Sequence, residues 1–168
     1  IRDSARSFAQ NELLPGVIER DNEQKFPTDG VKKMAELGFL GMMTSPKYLG
    51  GGMDTVSYVL AMEEISKYDA SSAVIMSVNN SLVCWGIEKY GTEDQKMKYL
   101  TRLASGEVIG AFCLSEPEAG SDATSQKTTA LDMGDHYLLN GTKNWITNGS
   151  SASIYLVIAQ TDVSKGHR

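Results

Sequence analysis

Cysteine is scarce in this chain. Cys84 and Cys113 lie far apart and form no CxxC pair, which argues against a disulfide framework and favours a reducing compartment. Each reads as a small buried hydrophobe. Histidine is equally sparse: His136 sits beside an expected turn and His167 near the last residue. No HExxH helix, GxSxG elbow or GxGxxG fingerprint occurs, so metal-hydrolase, serine-triad and Rossmann readings have nothing to rest on. Gly50-Gly51-Gly52 lacks the Lys-Ser/Thr pair of a phosphate-binding P-loop and reads as a mobile or tightly turned connection. Basic clusters are absent and the net charge is −5, so the chain lacks the surface with which nucleic-acid binders displace counterions. Backbone N–H groups and hydroxyls can still hold a phosphate-bearing ligand. No apolar run approaches the ~20 residues of a membrane span, and no signal peptide is visible.

What is present is the composition of an ordinary globular protein, 41% hydrophobic and 22% charged over 168 residues, enough for one domain or for one and part of another. The first residues run directly into a helical pattern that Pro15-Gly16 interrupts, so the N-terminus looks trimmed. A helix is expected from Thr28 to Leu37, burying Val31, Met34, Ala35 and Leu37 and stopping at Gly38. Another covers 55–67, with Val56, Val59, Leu60, Met62 and Ile65 at helical spacing. A third covers 71–90 on an apolar face of Ile75, Val78, Leu82, Val83 and Ile87. Thr92-Glu93-Asp94-Gln95 has capping-box form and opens a helix carrying Met97, Leu100 and Leu103 that ends near Gly106.

After Gly106 the texture changes. Short β-prone runs cover 108–114, 128–131, 136–139, 142–147 and 154–159, and Asn140-Gly141 between two of them predicts a hairpin. Asn79, Asn140 and Asn148 open Asn-x-Ser/Thr triplets; the last two read as Asn-Gly turns, not glycosylation sites. The expected fold class is α+β: an all-helical domain over 1–106, then the start of an antiparallel, barrel-like β-domain over 107–168. Its sheet face looks unfinished, so Arg168 is not expected to be the natural end.

Two stretches carry candidate chemistry. Phe112-Cys113-Leu114-Ser115-Glu116-Pro117-Glu118-Ala119-Gly120-Ser121-Asp122 leaves a strand for a polar loop whose hydroxyls and N–H groups can converge on a ligand. Trp145-Ile146-Thr147 pairs an aromatic plane with a hydroxyl two residues on; strand alternation would put Trp145 and Thr147 on one face. Taken singly, each stretch also fits a structural role, as a connection and as a core tryptophan.

Together, in this order and spacing, the two stretches resemble the paired flavin-contact signature of the acyl-CoA dehydrogenases. Tyr90-Gly-Thr-Glu-Asp-Gln-Lys96, Leu103-Ala-Ser-Gly-Glu107 and Gly50-Gly-Gly52 add to the likeness, which spans essentially the whole chain. The resemblance implies FAD as cofactor, with Phe112, Cys113, Leu114, Ser115, Glu116, Gly120 and Ser121 along it. Ser115 would stand near the isoalloxazine edge, Trp145 and Ile146 against the rings, and Thr147 within a hydrogen bond of N5. Ser121 would also touch the CoA thioester. Glu118, where relatives often carry a smaller residue, would face solvent. The helix over 71–90 would line the acyl pocket through Ile75, Val78 and Leu82. The implied reaction is α,β-dehydrogenation of an acyl-CoA, with electrons passed to an electron-transfer flavoprotein, in a homotetramer of the bacterial cytoplasm or mitochondrial matrix. The family's C-terminal helical bundle, with its glutamate base, has no counterpart here, so no catalytic residue and no metal ligand are assigned. An oxygen-using acyl-CoA oxidase and a non-catalytic binding module that kept the fold are the alternatives.

Overall fold

The computed structural model describes residues 1–165; His167 lies outside them. Helix α1 (Arg2–Phe8) runs on through a π-helical turn, Ala9–Leu13. Pro15 and Gly16, the latter at φ +74°, break it, and a short α2 (Val17–Asn22) that the sequence pattern does not reveal follows. Helix α3 (Thr28–Glu36) buries Val31 and Met34 and stops at Gly38, whose φ of +75° suits glycine. Leu37, expected inside, is exposed, because the helix has already ended and the helical period no longer aims its side chain. The glycine triplet is tightly turned: a Cβ on Gly50 would meet the Thr44 carbonyl at 2.1 Å.

Helix α4 (Thr55–Ser66) is capped by Asp54, which accepts from the Ser57 N–H at 2.8 Å. Its buried face is Tyr58, Ala61, Glu64 and Ile65, while Val56 and Val59, expected in the core, are exposed. A buried carboxylate lies on the inward face with Tyr58, Ala61 and Ile65. Glu64 accepts from Arg6 at 3.0 Å, Arg2 at 3.1 Å and Lys67 at 3.1 Å, which ties α1 across α4.

The longest rod, Ala70–Tyr90, consists of α5 (Ala70–Ser77), a π-helical stretch Val78–Cys84 and α6 (Trp85–Tyr90). By length and apolar content this rod could cross a membrane, contrary to the reading of the sequence, yet 56% of its apolar window is buried inside the protein. Its middle carries two buried asparagines that no bilayer would satisfy. The Asn79 Nδ2 donates to the Leu40 carbonyl at 2.8 Å and the Leu103 carbonyl at 3.2 Å, and its Oδ1 accepts from the Gly110 N–H at 2.9 Å. Asn80 accepts from the Met42 N–H and donates to the Phe39 and Met76 carbonyls. This is a core helix.

Thr92 and Gln95 form the expected capping box, opening α7 (Glu93–Gln95), a π-helical turn Lys96–Leu100 and α8 (Thr101–Ala104). Leu100 and Leu103 are buried, whereas Met97 is exposed. Two apolar cores result. One, around Leu13, Met34, Leu40, Ile65 and Met76, lies within the helices. The other, around Val83, Cys84, Leu100 and Leu103, is shared with Phe112, Ile154 and Leu156 of the β part.

Strand β1 (Gly110–Cys113) pairs with β4 (Ile154–Val157), and β2 (Thr129–Asp132) with β3 (Tyr137–Asn140). The second pair is antiparallel, Ala130 opposite Leu139, but the first is parallel, Gly110 opposite Ile154. The long excursion between β1 and β4 allows this, since a parallel partner needs a crossover. The hairpin turn falls at 133–136 with Gly134 at φ +95°, not at Asn140-Gly141. Gly141 serves close approach instead: a Cβ there would meet Thr128 Oγ1 at 2.3 Å. Residues 142–147 are not a strand.

Replacing Asn79 by Leu removes its hydrogen bonds to the Gly110 N–H and to the Leu40 and Leu103 carbonyls and should cost about 2–5 kcal/mol by urea unfolding of the whole protein. Val56→Ala, on an exposed face, should change stability by less than about 0.5 kcal/mol. The Arg6 guanidinium, with Lys67 and Arg2, holds the Glu64 carboxyl down at about 2 from an ordinary 4.5. Its stabilising contribution is therefore full above pH 4.5 and lost as pH falls toward 2. Across that window Glu64→Gln should lose less stability than the parent in an acid series of melting temperatures.

Candidate functional site

Strand β1 is covered along its length: Gly110, Ala111 and Cys113 are inside, and Phe112 leans on the shared core. Burial pushes the Cys113 thiol up and Cys84 to about 12, so both remain inert thiols. Beyond the strand, Leu114 and Ser115 are half-buried and Glu116 is buried. Glu116 and Ala119 exchange backbone hydrogen bonds of 3.0 and 3.2 Å, closing a turn with Pro117 at its second position, where the fixed φ of proline suits. Glu118 faces solvent as expected, and Gly120 and Ser121 lie exposed on the arm that follows.

The Glu116 carboxylate points into the protein. It accepts from the Lys127 N–H at 2.5 Å, the Thr128 N–H at 3.0 Å and the Lys143 ammonium at 2.7 Å. Burial pushes its pKa up, but the Lys127 N–H, the Lys143 ammonium and Thr128 outweigh it and bring the group to about 2. Lys143 also donates to the Leu114 carbonyl at 2.9 Å and to Gln126 Oε1 at 3.2 Å. One residue on, the Asn144 N–H donates to the Ser115 carbonyl at 2.9 Å. Residues 114–116 and 143–144 are thus joined directly.

Trp145 follows at φ +58° with 95% of its surface exposed. Ile146 and Thr147 are half-buried, and Asn148, at φ +66°, is buried. Asn148 Nδ2 donates to the Gly110 carbonyl at 2.9 Å, which pins the loop to the start of β1. Because 142–147 is a loop, strand alternation does not set the facing of Trp145 and Thr147; the Lys143 and Asn148 anchors on either side do. Of the expected residues, Leu114, Ser115 and Glu116 are bonded to the segment that leads into Trp145, whereas Gly120 and Ser121 stand apart on their arm.

A flat cofactor fits what the fold leaves unspent. The Trp145 plane is open, and among the described residues the hydroxyls of Ser115, Ser121 and Thr147 have no hydrogen-bond partner. Residues 1–107 match the model of the acyl-CoA dehydrogenase N-terminal domain, and residues 111–168 that of the acyl-CoA dehydrogenase middle domain. The chain belongs to the acyl-CoA dehydrogenase family. It is 48% identical over 168 residues to the short-chain specific acyl-CoA dehydrogenase, mitochondrial, of Rattus norvegicus, covering 100% of this chain and 41% of that protein. Butyryl-CoA dehydrogenase from Megasphaera elsdenii superposes with a TM-score of 0.92 at 43% identity, over 98% of this chain and 44% of that one. A glutaryl-CoA dehydrogenase from Mycobacterium smegmatis, solved in complex with FADH2, gives 0.91 at 39%, over 96% and 42%. The chain thus spans about two-fifths of the length of the proteins it matches.

Within this acyl-CoA dehydrogenase chain, sequence reasoning overlooked Lys143 and Asn148. Nothing in composition separates a buried lysine from a surface one, and Asn148-Gly149 reads as an ordinary turn. The saturation of the Glu116 carboxylate, which calls for a nearby cation, shows only in the fold.

Asn148 offers a graded test, because it supplies both a left-handed backbone and a hydrogen bond. Asn148→Gly keeps the first and loses the second, about 1 kcal/mol; Asn148→Ala loses both, about 1–2 kcal/mol more. Urea unfolding should rank the parent above the glycine variant and that above the alanine variant.

Proposed function

We propose that the whole protein is an FAD-dependent acyl-CoA dehydrogenase that oxidises a short-chain acyl-CoA thioester to its trans-2-enoyl product. The observation that carries the reading is the loop pair itself: the segment bearing Trp145 and Thr147 is tied through Lys143 and Asn144 to residues 114–116 and through Asn148 to Gly110, with the aromatic plane left open. The structure solved with FADH2 among the relatives supports the flavin. A bound flavin would supply the acceptor for the hydride that leaves the β-carbon. In this reading Trp145 and Ile146 pack beside the rings, Thr147 donates a hydrogen bond near N5, and Phe112 to Ser115 run along the cofactor. Gly120 and Ser121 reach it from the exposed arm, with Ser121 also meeting the thioester. Glu116 belongs to this site as a support, since its carboxylate is spent on the protein.

Proton removal from the α-carbon needs a carboxylate with a pKa near the working pH. Glu64 and Glu116 are each held at about 2 and Glu63 is paired with Arg2 at 2.9 Å, so none of these three is suited to that role. The base is assigned to the family's C-terminal region. Along the long rod, Ile75 and Val78 are buried in helix packing while Leu82 reaches the surface, so Leu82 is the best placed of the three to meet an acyl chain. A domain boundary at 106, an electron-transfer flavoprotein as acceptor, a homotetrameric assembly and a cytoplasmic or matrix location complete the reading.

The test is anaerobic flavin bleaching by butyryl- to octanoyl-type thioesters. The whole protein should bleach fastest with the short chains, and Thr147→Ala should alter its flavin spectrum or potential. Residues 1–168 supplied with FAD should not bleach, since loss of general-base help alone is worth about 10²–10⁴-fold. Bleaching of that segment at the whole protein's rate would show that the base lies within it.

A further inference from the structure

Lys143 and Glu116 form a buried pair, their side chains only 11% and 3% exposed. Such pairs are weak sources of stability, because desolvation of both charges offsets most of the attraction. Retention of one here asks for another role. Its position supplies it: Glu116 follows Ser115 directly, Lys143 lies two residues before Trp145, and the ammonium also holds the Leu114 carbonyl. Every donor of the ammonium is used, on Leu114, Glu116 and Gln126. Both carboxylate oxygens are used as well. The pair therefore sits at the junction of the two segments that the flavin reading assigns to the cofactor.

We propose that Lys143 and Glu116 are positioning residues for the flavin: their ion pair locks the two segments in register and keeps the charge at their junction balanced, so that the pair tunes the flavin's reduction potential. This rests on the flavin reading above. A cofactor that gains electrons responds to nearby charge, and an uncompensated cation favours its reduced form while an uncompensated anion favours the oxidised one. A pair that served only as a staple would have no such sign.

The experiment is a spectroscopic measurement of flavin potential in the whole flavoprotein and three variants. Glu116→Gln strands the ammonium and should raise the potential; Lys143→Met strands the carboxylate and should lower it. Gln126→Glu keeps the pair intact, adds an anion beside the ammonium, and should also lower it. Lys143→Arg keeps the charge and should leave it nearly unchanged. Shifts of at least about threefold in the oxidised-to-reduced ratio are expected, where tenfold corresponds to about 30 mV for two electrons. A second readout needs no cofactor: in protein stripped of flavin, amide exchange at 142–149 should quicken in Glu116→Gln and Lys143→Met but not in Gln126→Glu.

Shifts of the same sign in Glu116→Gln and Lys143→Met, or no shift, would overturn the proposal while leaving the flavin reading intact. If neither of those variants accumulates, Gln126→Glu decides, and an unchanged potential there overturns it. A whole protein that binds no flavin overturns both readings.

Discussion

The structure turns on Gly110. Its N–H is taken by Asn79, from the middle of the long helical rod, and its carbonyl by Asn148, from the loop that follows Trp145. One residue thereby connects the helical part, the first strand and the candidate cofactor loop. Glycine suits the place, because a Cβ there would meet Val83 Cγ1 at 2.6 Å and force the buried Val83 to shift. Asn79 also holds the Leu40 and Leu103 carbonyls, so the helix, the segment after α3, the end of α8 and the sheet share one anchor. The hydrogen bonds are modest singly, but the buried groups they satisfy would each be expensive to leave alone.

Glu64 and Glu116 are two of the three buried carboxylates among the described residues, and each gathers several donors. Glu64 gathers Arg2, Arg6 and Lys67 on the inward side of α4. Glu116 gathers two backbone N–H groups and Lys143 and sets how two loops meet. Both are saturated by donors, which is the condition under which a buried charge is tolerable. The first acts within the helical core and the second where that core has given way to the β part.

Much of the helical order could be read from spacing and caps: the break at Pro15-Gly16, the stop at Gly38, the Thr92–Gln95 box and the change of texture after Gly106. Helix facing was less legible. Val56 and Val59 carry the apolar signal of α4, yet a charged residue lies on the buried side, and hydrophobic period cannot anticipate an ion cluster assembled from a distant segment. The β part was read by local signals, and these failed where the fold is non-local. Asn140-Gly141 looks like a hairpin turn, but Gly141 is there because Thr128 crowds it. The parallel partner of β1 arrives only after the whole excursion through β2 and β3. At the candidate site, Ser115, Trp145 and Thr147 were singled out by the resemblance of their two stretches to a family signature, not by residue type alone. The anchors that place them, Lys143 and Asn148, look like surface residues until folded.

Trp145 and Asn148 both hold left-handed backbone conformations, within four positions of each other. For tryptophan this is an uncommon state that costs on the order of 1–2 kcal/mol, and it persists because the surrounding anchors over-determine it. The consequence concerns entropy. The backbone of this loop is fixed when the chain folds, so a ligand laid against the indole has a side chain to order and not a loop. Affinity gained in that way appears mainly as slower departure, and a substitution far from the indole that loosens an anchor would shorten residence time without removing a single contact.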